Sequence, residues 1–208
     1  MITIKSNNRV ALVGATGTGK TFLARYMLQN VTRLLVLDPK STLRGRWGLT
    51  EWTNKSRRAL YKGEPLRARV SAEPGEIGLY ENVLMDAYHA GNVLIYIDEV
   101  YGVAPVGTRP GEYLTAVYTR GRELGIGVIA ATQRPAWVPL FIFSEADSYI
   151  LFRLKLEADK RRMAEFMGPE VLRPIPDPHG FWVYQNDWIA AGKPAQYFKR
   201  LHVRKPEN

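Results

Sequence analysis

Residues 14–21 read GATGTGKT and follow directly on the short apolar run RVALV at 9–13. The stretch has the spacing of a phosphate-cradling loop: Gly, four residues, then Gly-Lys-Thr. Its surroundings agree. An apolar strand precedes it, and from Lys20 to Asn30 the residues Phe22, Leu23, Tyr26 and Met27 recur at a spacing that predicts one face of a helix. Gly14, Gly17 and Gly19, with Ala15, Thr16 and Thr18 between them, let the backbone turn tightly enough for successive N–H groups to face an anion. The helix start adds its dipole. Lys20 then reaches the β- and γ-phosphates, and the Thr21 hydroxyl is offered to Mg²⁺. A flexible glycine turn could share this composition, so the rest of the chain must decide.

Moving outward, VLIYIDE at 93–99 is an apolar run that ends in two adjacent carboxylates. Acids are costly to bury, so the pair belongs at the open end of a strand. Asp98 is suited to hold Mg²⁺, directly or through water, and Glu99 to orient or deprotonate an attacking water. A second acid suits hydrolysis better than transfer to a particular acceptor. At 126–135, IGVIAATQRP is another buried run that ends in polar residues, at the edge where open α/β sheets bind ligands. Gln133 is placed to meet the γ-phosphate or its water, but on residues alone a strand-capping role, for it or for Thr132, is equally open. Asp38, before Pro39, reads as a turn-former.

Further apolar runs at Leu34–Leu37, Tyr149–Leu154 and Phe181–Tyr184 alternate with helical patterns at Ile77–His89, Pro110–Leu124 and Glu157–Met167. In the first of these helices Leu79, Val83 and Leu84 are the expected core positions. Pro110 should open the second, and Gly168-Pro169 should end the third. Continuous apolar strands separated by helices predict an α/β fold: a mostly parallel sheet with helices on both faces, in a single domain. Residues 41–75, rich in Arg, Lys, Gly and Trp and weakly periodic, read as a basic insertion-like region. Residues 190–208 read as a peripheral basic tail.

The 208 residues suffice for one hydrophobic core and are few for two. Cysteine is absent, which excludes disulfide and thiolate chemistry. The three histidines, His89, His179 and His202, are far apart, so a metal centre built from protein ligands alone is not expected. No apolar run is long enough for a transmembrane segment, and the N-terminus lacks the apolar core of a signal peptide. A soluble chain is therefore expected. The formal charge is +9, from 29 basic and 20 acidic residues, a surplus that attracts polyanions such as nucleic acid. Arg44, Arg46, Lys55, Arg57 and Arg58 could form a DNA-contacting cluster or simply a solvated face.

Taken together, GATGTGKT at 14–21, VLDPK at 36–40, LIYIDE at 94–99 and RGRELGIGVIAATQRP at 120–135 resemble the FtsK/HerA superfamily of DNA-pumping ATPases. The resemblance spans residues 9 to about 155. It implies a RecA-like P-loop NTPase fold, one ATPase domain over residues 1–208, that hydrolyses ATP with Mg²⁺. It makes Lys20 and Thr21 the phosphate-loop pair, Asp98 and Glu99 the metal and water residues, and Gln133 the polar sensor. Arg122, three residues before Gly125, becomes the arginine given to a neighbour's nucleotide, whereas the residues alone do not separate it from Arg120. The implied partners are double-stranded DNA and further copies in a homo-oligomeric ring, commonly a hexamer. Small single-domain members package genomes in tailless icosahedral viruses with an internal membrane. With its size and no membrane anchor or N-terminal barrel, the chain is similar to those packaging motors. Capsid vertex proteins are then a further partner, and the location is the cytoplasm of an infected host cell or the virion. The alternatives are a DNA-dependent ATPase of conjugation, phage assembly or DNA repair.

Overall fold

The computed structural model of the chain describes residues 5–73, 76–105, 107 and 109–199. The strands are β1 (Arg9–Val13), β2 (Arg33–Leu37), β3 (Thr50–Glu51), β4 (Leu66–Val70), β5 (Leu94–Ile97), β6 (Gly127–Thr132), β7 (Ser148–Phe152), β8 (Phe181–Gln185) and β9 (Gln196–Phe198). The helices are α1 (Lys20–Leu28), α2 (Asn54–Tyr61), α3 (Gly78–Ala90), α4 (Val100–Val103), α5 (Glu112–Arg120), α6 (Leu140–Ser144), α7 (Glu157–Met167) and α8 (Asn186–Ala190). All the strands join one sheet in the order β3-β4-β2-β5-β6-β1-β7-β8-β9. Every pairing from β3 to β7 is parallel, and β8 and β9 are added antiparallel. The fold is thus the mostly parallel α/β sheet with flanking helices that the alternation of patterns predicts.

Strand periodicity divides the core in two. Ala11, Val13, Leu35, Leu37, Ile95, Ile97, Val128 and Ala130 face α3, α5 and α7, where Tyr80, Val83, Leu84, Leu114, Val117 and Met163 meet them. Their neighbours Val10, Leu12, Leu34, Val36, Leu94, Tyr96, Ile129 and Ala131 face α1. Because successive side chains in a strand point to opposite faces, strands buried on both faces must be apolar at every position. That is why these runs are legible in the sequence.

Several local expectations change. On α1 the buried face is Leu23, Ala24 and Leu28, while Phe22 is exposed. On α3, Val83 and Leu84 are buried as expected, but Leu79 faces solvent and Tyr80 takes its place in the core. Helix α5 starts only at Glu112, beyond Pro110. It ends at Arg120 because the chain then turns through Gly121 to bring Ile126 N–H onto the Gly121 carbonyl.

The largest correction concerns residues 41–75. In place of an insertion-like region, the described residues 41–73 supply β3, α2 and β4 to the sheet, with β4 parallel to β2, and residues 74–75 lie outside the described residues. Strand β4 reads LRARV. Leu66, Ala68 and Val70 point into the core, while arginines occupy the alternate positions and mask the apolar run. Arg67 is tolerated because its guanidinium donates to the Leu28, Val31 and Trp47 carbonyls. Helix α2 is opened by a reciprocal cap between Thr53 and Ser56.

The basic tail expected at 190–208 is structured at its start, since β9 pairs with β8 and Phe198 stacks on Phe181. Residues 200–208 of that tail, including His202, lie outside the described residues. Both edge strands are short: β3 has two residues and β9 three. Among the described residues no helix is long and apolar enough to cross a membrane.

Candidate active site at the carboxyl ends of the strands

The parallel strands β1, β2, β5 and β6 end side by side, so the segments that follow them converge. The loop after β1 is fixed at its root: Gly14 N–H donates to the Thr132 carbonyl at 3.1 Å and Ala15 N–H to the Arg153 carbonyl at 2.9 Å. Two glycines are demanded by this geometry. A Cβ on Gly14 would lie 2.6 Å from Phe152 Cβ, and Gly19, which opens α1, has φ 114°. Thr18 Oγ1 closes the loop on the Ala15 carbonyl at 2.8 Å, and the His179 ring stands 3.3 Å from the Thr18 carbonyl.

Lys20 folds back over this loop. Its ammonium donates to the Gly14 carbonyl at 2.6 Å and to the Ala15 carbonyl at 3.0 Å. Burial pushes it down to about 8; the negative charges of Glu99 and Asp98 oppose that shift, and the positive charge of Lys40 adds to it. A cation held this way is short of counter-charge, which is the condition a phosphate would relieve. Thr21 is exposed in the first turn of α1.

Asp98 and Glu99 follow β5, and each is held differently. Asp98 accepts the Tyr96 hydroxyl at 2.7 Å on one oxygen and the Thr42 hydroxyl at 3.0 Å on the other. Burial raises its carboxyl above the ordinary aspartate range, and these two hydrogen bonds partly offset the rise. Glu99 is buried. One of its oxygens accepts the Thr132 hydroxyl at 2.9 Å and sits 3.4 Å from Gln133 N, and the other accepts the Lys40 ammonium at 3.0 Å. Gln133 follows β6, which lies between β1 and β5. Its side-chain oxygen accepts the Thr16 hydroxyl of the phosphate loop at 2.6 Å. Gln133 therefore touches the loop through its side chain and the acid pair through its backbone.

These contacts bring Lys20, Asp98, Glu99 and Gln133 to one place. The oxygen donors offered to a divalent cation, the Thr21 hydroxyl and the oriented Asp98 carboxylate, suit Mg²⁺, which takes few protein ligands beside phosphate oxygens. Among the described residues no cluster of three or more histidines or acids could hold a metal by itself.

Arg122 is not in this place. It lies in the turn after α5 and pairs with Asp147, which also accepts the Arg9 N–H at 2.8 Å. Arg9 opens β1 and Asp147 precedes β7, so Arg122 sits at the opposite end of the strands from its own phosphate loop. A strand the length of β1 separates the two ends by about 15 Å.

Asp38 is fully buried and serves a turn, accepting from Thr42 N–H at 3.1 Å and Leu43 N–H at 2.9 Å. The basic group named in the sequence is divided. Arg44 and Arg46 lie on the loop whose Leu43 and Trp47 pack on the α1 face, whereas Lys55, Arg57 and Arg58 belong to α2 on the other face. Arg57 is also paired with Asp86 at 2.9 Å. Four neighbours of these residues, Lys40, Thr42, Tyr96 and Thr132, have no site role in the sequence reading: Lys40, Tyr96 and Thr132 lie within the quoted stretches, and Thr132 reads there only as a strand cap.

No family model matches the chain. Over 168 residues it is 26% identical to the DNA packaging ATPase P9 of Enterobacteria phage PRD1, a match covering 76% of this chain and 70% of that protein. Among solved structures, the genome packaging NTPase B204 of Sulfolobus turreted icosahedral virus 2, in complex with AMPPCP, superposes with a TM-score of 0.73 at 17% identity over 95% of this chain and 100% of that one. The conjugation coupling protein TcpA of pCW3, with ATPgS, gives 0.59 at 14% identity, covering 93% of this chain and 60% of its own. The fold is the RecA-like P-loop NTPase architecture of these proteins, and the chain resembles the FtsK/HerA-like viral genome-packaging NTPases.

Proposed function

We propose that this chain is an ATP hydrolase that moves double-stranded DNA, as the genome-packaging motor of a virus. The observation that carries the reading is the convergence of a complete phosphate loop, a paired acid and a bridging glutamine, with Gln133 bonded to Thr16 and Glu99 bonded to Thr132. The likeness to packaging ATPases supports the choice of cargo, and the +9 charge supports a polyanionic partner. One RecA-like domain does this work.

The residues divide the chemistry as follows. Gly14 and Ala15 fix the root of the phosphate loop through their own N–H bonds, the backbone N–H groups from Thr16 to Thr21 cradle the phosphates, and Lys20 exchanges its two carbonyl partners for phosphate oxygens. Thr21 and Asp98 would hold Mg²⁺, which when bound neutralises charge on the β- and γ-phosphates. Gln133 and Glu99 position a water. As its oxygen bonds to the γ-phosphorus, the bond from that phosphorus to the β–γ bridging oxygen breaks, ADP leaves, and the water's proton passes to Glu99. Arg122 lies at the far end of the strands from its own loop, which supports the role that the resemblance gives it, donor to the next copy in a ring that we take to be a hexamer. A ring coupled in this way, acting with capsid vertex proteins in the infected cell or on the virion, ties each hydrolysis to contact between subunits.

The test is ATPase activity of the purified protein with and without linear double-stranded DNA, across a salt series. DNA should stimulate hydrolysis with little dependence on base sequence, and the effect should fall steeply with salt as phosphate contacts release counterions. Hydrolysis indifferent to DNA at every salt concentration would remove DNA from the reading and leave the nucleotide site.

A further inference from the structure

A buried ion network on the β2–β4 side of the site is not used by the chemistry above. Asp38, fully buried, accepts Arg69 Nη1 at 2.9 Å, and Arg69 in turn donates to both oxygens of Glu51, at 2.8 and 3.0 Å. Asp38 also gathers the backbone N–H groups of Thr42 and Leu43, and Ser41, at φ 54°, bonds through its backbone to the Asp38 carbonyl and through its hydroxyl to Ser71. Pro39 packs against α4 so tightly that a Cβ on Gly102 would lie 2.4 Å from it. Everything around residue 40 is therefore anchored. The one part left at liberty is the Lys40 side chain, which is 45% exposed and reaches over the end of β2 to Glu99.

The consequence for Glu99 is specific. One of its oxygens is bonded to Thr132 and the other is ion-paired with Lys40, so the oxygen not held by Thr132 is neutralised as a base while Lys40 stays. Lys40 also feels the same small region as Lys20, whose charge it disfavours. Two lysines thus bring charge to bear beside Glu99, one from the loop and one from the end of β2. A γ-phosphate brought there would compete with Glu99 for Lys40, and a diphosphate would not.

We propose that Lys40 is a γ-phosphate-binding positioning residue that exchanges Glu99 for the terminal phosphate, so that the hydrolytic base is released only when a nucleoside triphosphate is present. The proposal rests on the reading of this site as a nucleotide hydrolase. It also gives the Asp38–Arg69–Glu51 network a purpose: it holds the backbone of residue 40 still while its side chain changes partner.

The experiment measures equilibrium binding of fluorescent ATPγS and fluorescent ADP, with Mg²⁺, to the full chain. Lys40→Met should weaken ATPγS by about tenfold or more and leave ADP unchanged, since only the triphosphate gains the charge-assisted bond. Lys40→Arg should recover part of that loss. Glu99→Gln should tighten ATPγS severalfold, because Lys40 no longer has to be drawn from a carboxylate. That gain should vanish in the Lys40→Met, Glu99→Gln double variant. Equal weakening of both nucleotides, no weakening at all, or a Glu99→Gln gain that persists without Lys40 would each overturn the proposal. The last outcome would mean that Glu99 simply repels the phosphate. The underlying site is judged separately by Lys20→Ala, which should weaken both nucleotides. If wild-type protein binds neither, the nucleotide reading itself is lost.

Discussion

Two buried cations stand on the two sides of this site in opposite electrostatic condition. Lys20, on the phosphate-loop side, has two backbone carbonyls for partners and is pushed down to about 8 by burial. Arg69, on the β4 side, is also pulled down by burial, but hydrogen bonds and charge from Glu51 and Asp38 outweigh it and leave the guanidinium raised. The difference separates ligand binding from scaffolding. A buried charge whose compensation is incomplete costs folding energy and is held ready for an anion. A buried charge with full compensation belongs to the frame. Arg122 makes a third case: half exposed, with a single carboxylate partner, it is available to move.

That contrast can be broken by substitution. The largest effect should come from Arg122→Ala, which should lower ATPase activity by about 10³ or more if the guanidinium serves a neighbour's nucleotide. Mixed with Glu99→Gln protein, also inactive alone, activity should partly return; near-normal activity of Arg122→Ala by itself would discard the assignment. Lys20→Met comes next. Hydrolysis should fall by at least about 10²–10³, while thermal denaturation shows the protein stabilised by roughly 1–3 kcal/mol, because an undercompensated charge has been removed from a buried place. A destabilised Lys20→Met would contradict the account of that lysine.

Arg69→Met should behave the other way. Stripping the partner from fully buried Asp38 should cost about 3–5 kcal/mol, read by denaturant unfolding, and should erode the preference for triphosphate that the Lys40 turn provides. A loss below about 1 kcal/mol would mean that the network is not the frame described. The smallest effect is expected from Asp147→Asn, which loosens Arg122. Exposed pairs contribute about 0.2–1 kcal/mol. The protein concentration giving half-maximal ATPase activity should therefore fall by no more than about fivefold, and a rise would show that Asp147 holds Arg122 in its working position.

The same contrast explains what could be read without coordinates. Strands β1, β2, β5, β6 and β7 are apolar on both faces, and β1, β5 and β6 end in residues whose chemistry is explicit, so the sheet, the phosphate loop and the acid pair were legible. Helix α7 was legible to its last residue because Gly168 and Pro169 stop it. Strand β4 was not, because Arg67 and Arg69 interrupt its apolar pattern, and their burial depends on partners distant in the chain: the carbonyls of Leu28, Val31 and Trp47 for one, Asp38 and Glu51 for the other. Helix α2 was hidden because its cap uses Ser56 where a glutamate would have been noticed. At the site, positions that come with a motif were visible. Roles that come from strand order were not, since nothing local says that β6 inserts between β1 and β5 and delivers Thr132 to Glu99.

The sheet's borders limit how copies can associate. One edge is the two-residue β3, with Glu51 engaged by Arg69, and the other is the three-residue β9. Among the described residues neither offers a ladder of unpaired backbone groups long enough to template another chain's strand, which is how natural sheets avoid uncontrolled polymerisation. Copies of this chain are thereby steered away from joining by sheet continuation. In the ring proposed above, they would meet through strand ends and helix faces, where contact can be made and broken without unpicking the sheet.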